Sequence, residues 1–185
     1  VPSKLFYGNK TIQRVEGVGI TDISAQAFYS CVNLYEVNFP EVQTIGEKAF
    51  WNSTSLSGIS FPECTYIGKS AFENTLIRYA YLKSVETICF RAFYRCKCLY
   101  DLYIPNLVEL RKESYIGGTW QGASLAFEEG KVSCVIDMKN LEELSYGAFY
   151  SSLVKRLEFS NLKKIEGMPI ALCREPTYGA ITVVL

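Results

Sequence analysis

Apolar residues recur along this sequence at an interval of 21 or 22 positions, and the most regular position in each interval carries an aromatic ring. Counted from the first, the steps between rings are 22, 22, 22, 21, 22 and 34 residues. An aliphatic residue stands five positions before each ring from the second onward. Units of this length cannot bury an apolar face alone, so the period predicts a solenoid of stacked coils. The rings are Phe6, Phe28, Phe50, Phe72, Phe93, Tyr115 and Phe149.

Each interval also contains two apolar residues that are two positions apart, which is the alternation of a short, half-buried strand. Proline follows three of these pairs, at Pro40, Pro62 and Pro105, where a residue without an N–H ends a ladder. At the end of the sequence, Gly179 and Ile181 fit the same two slots. Parallel strands are therefore predicted near residues 14–17, 36–39, 58–61, 79–82, 101–104, 135–138 and 156–159.

One stretch carries the whole pattern, in Leu34, Val37, Phe39, Pro40, Val42, Ile45, Gly46, Ala49, Phe50 and Leu56. This stretch resembles a leucine-rich repeat, more narrowly one of the BspA-like subclass. The resemblance runs from about Phe6 to Ile170. It implies one α/β, β-rich solenoid domain over residues 1–185, a right-handed superhelix of about seven to eight coils. Because both ends fall within a repeat, we expect the chain to be part of a longer array.

The step of 34 residues predicts an inserted loop of about a dozen residues, placed at 116–127. Insertions in repeat proteins emerge on one face, which is often the binding face. Trp120 is a large apolar group in this segment and occupies no repeat slot, so it is a candidate ligand-binding residue. Alternatively, the segment is plain decoration, and Leu125 to Phe127 fold back onto the core as a short helical turn.

The chemistry available to the chain is narrow, because it contains no histidine. Catalytic triads, Cys–His pairs and histidine-ligated metal sites are therefore excluded, and we expect neither an enzyme nor a metal or cofactor. The seven cysteines follow the repeat phase, and their odd number favours free, buried thiols over a disulfide framework. If a pairing exists, it joins Cys31 or Cys96 to a cysteine of an adjacent coil.

Charge and hydropathy exclude two classes of partner. Nineteen basic and nineteen acidic residues cancel, so no net field would attract nucleic acid or an anionic membrane. No apolar run approaches the roughly 20 residues of a membrane span. The opening residues are not a signal peptide, so a secreted precursor would already have lost its signal.

The candidate site lies on the face formed by the strands, where the residues between buried positions make one short row per coil, about 4.8 Å apart. Tyr79, Tyr81 and Tyr103 stand in two adjacent rows, with Asp101 and Lys83 beside them. Tyrosine offers large contact area at a small entropy cost, so this cluster is a candidate binding centre. The alternative is that these rings only pack on one another across parallel strands.

A second set of rings directly follows the first set and is predicted to form a stacking ladder along the solenoid, because it recurs with the repeat. It comprises Tyr7, Tyr29, Trp51, Tyr94 and Tyr150.

The function expected from the resemblance is that of an interaction module. BspA-like proteins are typically extracellular or surface-attached adhesins of bacteria and some parasitic protists, and they bind host matrix proteins or other cells. A protein ligand on the strand face is therefore expected, at the cell surface or outside the cell. Two alternatives stay open: a structural spacer that binds nothing tightly, and a carbohydrate-binding surface in which exposed Tyr and Trp rings stack on sugars.

Overall fold

The structure, a computed structural model, describes residues 1–113, 125–128, 135–150, 156–167 and 182–185, together with 152, 154 and 169. Its strands alternate between three and two residues in length. In chain order they are β1 (Arg14–Glu16), β2 (Asp22–Ile23), β3 (Glu36–Asn38), β4 (Thr44–Ile45), β5 (Gly58–Ser60), β6 (Tyr66–Ile67), β7 (Tyr79–Tyr81), β8 (Thr87–Ile88), β9 (Asp101–Tyr103), β10 (Glu109–Leu110), β11 (Val135–Asp137), β12 (Glu143–Leu144), β13 (Arg156–Glu158), β14 (Lys164–Ile165) and β15 (Thr182–Val184).

The three-residue strands from β1 to β13 lie where the sequence predicts them, and all the three-residue strands named below pair in parallel. The pairs are β1 with β3, β5 with β7 and β9 in one sheet, and β11 with β13 and β15 in another. The register is one coil per step, so that Ala80 lies between Ile59 and Leu102. The middle residue points inward, and each of these three is at most 4% exposed. The flanking residues face outward, as the alternation requires.

A second parallel sheet, which the sequence analysis did not assign, runs along another side of the solenoid. Strands β2, β4, β6, β8 and β10 form it in spatial order, and β12 pairs with β14. The second residue of each of the first five is the periodic aliphatic, and it is buried, as for Ile45 and Ile67. A strand of two residues shows no alternation, so the sequence revealed its buried residue but not its conformation.

The remaining side is built from turns, and it corrects the expected α component. Within the described residues no segment is helical. Around each ring, alternate backbone N–H groups donate to carbonyls of the next coil, for example Phe28 to Ala49 at 2.8 Å and Phe50 to Ala71 at 2.8 Å. Residues two positions from the ring take a left-handed φ, such as 59° at Gln26. Hydrogen bonds between coils thus satisfy the backbone N–H and C=O groups that a helix would pair within itself.

The core is a ladder of stacked rings. Phe28, Phe50, Phe72 and Phe93 are fully buried, as predicted. Successive rings are 5.1 to 5.2 Å apart between centroids and nearly parallel. Offset-stacked pairs at this distance stabilise the fold beyond their buried area. Phe61, on the strand side, tilts against Phe50 and Phe72 at 6.4 and 6.5 Å and closes the core.

The assignment of the ring after Phe93 to Tyr115 is wrong. Phe127 fills this position: its ring centroid lies 5.4 Å from Phe93 and 5.0 Å from Phe149. Phe127 is fully buried, and its N–H donates to the carbonyl of Ala148, in the pattern of the earlier coils. The extra residues of this coil therefore precede Phe127 rather than follow the ring.

The predicted insertion at 116–127 is corrected accordingly, because its last residues belong to the repeat. Leu125 takes the left-handed position two residues before the ring, with a φ of 43°, and Ala126 occupies the alanine slot. These residues do fold onto the core, as a turn and not as a helical turn. Trp120 and Tyr115 lie outside the described residues, and the insertion itself stays a prediction.

The phase assigned at the end of the sequence is also wrong. Val183 pairs with Leu157 in the register of β13 and β15, so it holds the middle slot that the sequence analysis gave to Gly179. The period places this slot 22 residues beyond Leu157, and the observed spacing is four residues longer. A fixed count therefore misplaced the strand where the repeat changes length.

The thiols behave as predicted among the described cysteines, which are all free. Cys31, Cys64, Cys89 and Cys96 are buried, and Cys98 is partly buried. The slot three residues after the ring carries a small polar side chain that donates to a ring-residue carbonyl. Cys31 donates to Phe6, and Cys96 to Phe72. Ser53 replaces cysteine in this role.

Glycine follows the aliphatic at Gly46 and Gly68, where neighbouring coils approach each other closely. A β-carbon on Gly68 would lie 2.7 Å from the carbonyl carbon of Gly46 and 2.9 Å from the nitrogen of Glu47. Both of these are backbone atoms, which cannot move aside as a side chain can. A side chain on Gly68 would therefore push two coils apart.

Candidate ligand-binding surface

The strand face presents the predicted tyrosines to solvent. Tyr79 and Tyr81 flank the buried Ala80 in β7, and Tyr103 ends β9 next to the buried Leu102. The exposed fractions are 50% for Tyr79, 43% for Tyr81 and 47% for Tyr103. Half of each side chain is thus available to a partner while the other half packs on the protein. We call these three residues the tyrosine patch.

The rings of the patch are held by contacts within the face. Tyr81 and Tyr103 are paired in register and stack with centroids 5.0 Å apart and planes 8° apart. Tyr79 lies over Gly58 of the preceding strand, where a β-carbon would come within 2.1 Å of its Cζ atom. The part played by Gly58 was not predicted. The sequence feature that could have revealed it is a glycine at an outward strand position, in the row next to the two tyrosines of β7.

Two charged residues border the patch. Asp101, at the start of β9, is exposed and lies opposite Tyr79 in the parallel register. Lys83, two residues beyond β7, is exposed and its Nζ lies 3.6 Å from a carboxylate oxygen of Glu63. The structure therefore places four of the predicted site residues on two adjacent strands, with Lys83 just past the end of one. Trp120, the sixth, lies outside the described residues.

The rows farther along the face carry charges that are already paired with each other. At one end, Arg14 bonds Glu16 at 2.8 Å and lies 3.5 Å from Glu36. Toward the other end, Arg156 bonds Glu158 at 2.7 Å. The Arg14 pairs are largely exposed and the Arg156 pair is half-buried, so each stabilises the fold little. These rows flank the aromatic centre of the face with polar groups, which is the usual arrangement of a protein interface.

Another charged cluster lies on the second sheet and neutralises itself. Lys112 and Lys164 both pair with Glu143 and Glu166. Hydrogen bonds from Lys112 and Lys164 lower the pKa of Glu166. Because the ion pairs join residues of different coils, the cluster ties neighbouring coils together. Its two positive and two negative charges cancel, so it offers no net field to a ligand.

The three fully buried thiols, Cys31, Cys64 and Cys96, are poor nucleophiles. Burial raises the pKa of Cys31 to about 11, of Cys64 to about 12 and of Cys96 to about 12. Because the thiolate is the reactive form, these side chains stay protonated and inert near neutral pH. Among the described residues, no three His, Cys, Asp or Glu side chains come together as a metal site would require.

No helix in the described part of the chain is long and apolar enough to cross a membrane.

The stacked parallel strands, the inward aliphatic and aromatic ladder and the open strand face define a leucine-rich-repeat type of solenoid. A family model described as the BspA type leucine rich repeat region matches residues 1–120 in 6 copies. The chain therefore belongs to the BspA-type leucine-rich repeat family, as its sequence pattern predicted. No curated protein matches the chain closely enough to count as a relative.

Membership of this family supports coarse statements about function. Leucine-rich-repeat solenoids are typically non-catalytic scaffolds for interaction, and the BspA type is associated with surface proteins. Because one fold can carry many functions, the ligand must be argued from particular residues.

Proposed function

We propose that this chain is a non-catalytic, protein-binding module that acts at the cell surface or outside the cell, and that its ligand docks on the tyrosine patch. The observation that carries the proposal is the half exposure of Tyr79, Tyr81 and Tyr103 on two adjacent strands. Strand formers that only packed on one another would bury these rings against neighbouring rows. Here the preceding row is Gly58 and Ser60. The ring of Tyr79 packs over Gly58, which has no side chain, and no side chain of this row is large enough to bury the rings.

The patch is organised before a ligand arrives. Tyr103 supports the ring of Tyr81, and the backbone at Gly58 supports Tyr79. All three are carried by hydrogen-bonded strands and not by loops. A binding partner therefore has little side-chain freedom left to remove, which lowers the entropic cost of association. Tyrosine is among the residues that most often dominate binding energy at interfaces.

The rim suits a polar protein surface. Asp101 and Lys83 carry opposite charges beside the aromatic centre, and the only ion pair found for either among the described residues is the long one from Lys83 to Glu63. Rim charges of this kind govern the association rate and its salt dependence more than the final affinity. The family's association with surface proteins supports a ligand such as an extracellular-matrix protein or a protein on another cell.

The test is surface plasmon resonance with purified extracellular-matrix proteins and a parallel glycan array. Alanine at Tyr79, Tyr81 or Tyr103 is expected to weaken protein binding by about 1–3 kcal/mol each. The matched control is Tyr35→Ala. Tyr35 is 49% exposed, like the tyrosines of the patch, but it precedes strand β3 and does not belong to the patch. Thermal unfolding of every variant should stay close to wild type, since exposed side chains contribute little to the core.

Three results would redirect the proposal. Undiminished binding by the triple alanine variant of the tyrosine patch would refute docking there. Binding that is lost on deletion of residues 117–123 but retained in the triple variant would move the site to the segment with Trp120. A wild-type chain that binds glycans alone, or nothing, would favour the carbohydrate-binding or the spacer interpretation.

A further inference from the structure

A groove lies on the turn side of the solenoid, away from the tyrosine patch. Its volume is about 570 Å³, and it is open to solvent on one side. This volume falls within the range of small-molecule sites, about 300–1,000 Å³. We call it the ladder groove, and its principal lining residues are Lys48, Trp51, Lys69, Glu73, Phe90 and Arg91.

The groove exists because one coil carries smaller groups than the coils on either side. The position after the core ring holds Trp51, then Glu73, then Tyr94, so the middle coil has no ring. The left-handed position before the core ring holds Lys48, then Ser70, then Arg91, and Ser70 is buried at the bottom. Both positions therefore carry their smaller side chains, Glu73 and Ser70, in the same coil, and this leaves the space of the groove.

Trp51 is the end of a stack. Tyr7, Tyr29 and Trp51 follow one another with centroids 4.6 Å apart and planes within 12° of parallel, which confirms the first three members of the predicted ladder. Glu73 interrupts the ladder before Tyr94. Tyr29 covers one face of the indole. The other face points toward the coil of Glu73, where no ring of the described residues continues the stack, and Trp51 lines the groove. The indole is thus held in place on one side and offers an aromatic platform on the other.

The charges around the platform almost cancel. Lys48, Lys69 and Arg91 line the groove together with Glu73 and Glu113, and Lys69 is bonded to Glu113 at 2.7 Å. A polyanion would meet two carboxylates there, and an apolar peptide would have to desolvate all five charges. A ligand rich in hydroxyl groups satisfies both kinds of side chain, because each hydroxyl donates to a carboxylate and accepts from a cation.

We propose that the ladder groove binds a neutral saccharide, with one pyranose ring lying on the free face of Trp51 and its hydroxyls bonded to Glu73 and Lys48. The C–H face of a pyranose is apolar and carries slight positive charge, which complements the negative face of an indole. This site does not depend on the tyrosine patch, since the two lie on different sides of the solenoid. Either proposal can fail while the other holds.

The test uses the full chain and a defined set of neutral oligosaccharides built from glucose, mannose, galactose or N-acetylglucosamine. Isothermal titration calorimetry measures binding, and heparin and ATP serve as anionic probes. At least one neutral oligosaccharide should bind saturably, and Trp51→Ala should weaken it by about tenfold or more, as loss of an aromatic anchor does. Tyr7→Ala is the matched control, because it shortens the same stack at its other end.

A second variant separates binding from folding. Glu73→Tyr inserts a ring between Trp51 and Tyr94, so it should keep or raise the melting temperature while it abolishes saccharide binding. The tyrosine patch triple variant should bind the saccharide as the wild type does.

Three outcomes would overturn the proposal. The first is that no neutral oligosaccharide of the set binds the wild type. The second is that only heparin or ATP binds, and the third is that Glu73→Tyr leaves saccharide affinity unchanged.

Discussion

Replacing Phe50 with alanine should remove a large part of the stability of the solenoid. Phe50 is completely buried, and its ring stacks on Phe28 at 5.1 Å and on Phe72 at 5.2 Å, with Phe61 tilted against it at 6.4 Å. Truncation of a buried Phe costs about 3–5 kcal/mol, which combines lost burial with the cavity left behind. Each stacked neighbour accounts for about 0.5–1.5 kcal/mol beyond its area. We expect the upper half of the range, because two stacking partners are lost at once.

The matched control is Phe6→Ala. Phe6 is the first ring of the same ladder and is only partly buried. Among the described residues it stacks on one ring, Phe28, at 5.2 Å. In a linear array, stability is a sum of coil terms and neighbour interfaces, so an interior ring supports two interfaces and this one supports one. The cost of Phe6→Ala should therefore be less than half the cost of Phe50→Ala.

Urea denaturation followed by circular dichroism measures both variants, with the slope of the transition as a check on cooperativity. Phe50→Leu restores much of the volume without the ring and should recover part of the loss. If Phe50→Ala costs no more than Phe6→Ala, the ladder does not act as a chain of coupled interfaces, and the reasoning is wrong.

Two further predictions concern the coil contacts and the thiols. Gly68→Ala should destabilise the fold by about 1–3 kcal/mol, because its new β-carbon meets backbone of the preceding coil; Ser24→Ala, in the same slot of an earlier coil, should be nearly neutral, and equal melting temperatures would refute the close contact. Cys64 and Cys96 should resist alkylation until the chain is denatured, and labelling of the native protein would contradict their burial. Since burial raises the pKa of both thiols from 9.0 to about 12, they stabilise the fold fully below pH 9, and this contribution should disappear as the pH rises from about 9 to about 12. Cys96→Ala should flatten that alkaline loss in pH-dependent unfolding.

Much of the fold could be predicted because the same positions of each coil are buried and must carry apolar side chains. The middle residues of the three-residue strands and the core rings recur at a constant phase, and a buried position must be apolar in every coil. Exposure of Tyr79, Tyr81 and Tyr103 follows from the same alternation, since neighbours of a buried strand residue point outward. The position and exposure of the tyrosine patch are therefore predictable from the sequence alone.

The two wrong assignments, of the ring after Phe93 and of the last strand, have the same cause: both assume a constant repeat length where the coil length changes. Tyr115 fits the period because it lies 22 residues after Phe93, but the ring that stacks on Phe93 is Phe127, 34 residues after it. The better signal was local: Phe127 follows an alanine, as most of the core rings do, and lies 22 residues before Phe149. The last strand was misplaced in the same way. Residue type within the turn is thus a stronger guide than distance along the chain.

The turn side escaped prediction for a different reason. Left-handed positions are usually read from glycine, but here they carry Gln26, Lys48 and Arg91 among others. What permits this conformation is the hydrogen bonding between coils, which one coil alone does not contain. The two-residue strands around Ile45 and Ile67 are likewise defined by their neighbours, so no local pattern reveals them.

Function in such an array should be sought where outward slots depart from the repeat. Inward side chains pack against those of the coils above and below, and this packing limits which residues can occupy the inward slots. Outward slots have no such constraint, and a departure there costs little stability. Gly58 beside Tyr79, and Glu73 after Trp51, are departures of this kind. The missing side chain at Gly58 makes room for the ring of Tyr79. The missing ring at Glu73 leaves one face of Trp51 without a stacking partner among the described residues. A surface kept only for stacking would fill these positions, as Glu73→Tyr is designed to do. The melting temperature and the saccharide affinity of that one variant therefore measure separately what the ladder contributes to stability and what its interruption contributes to binding.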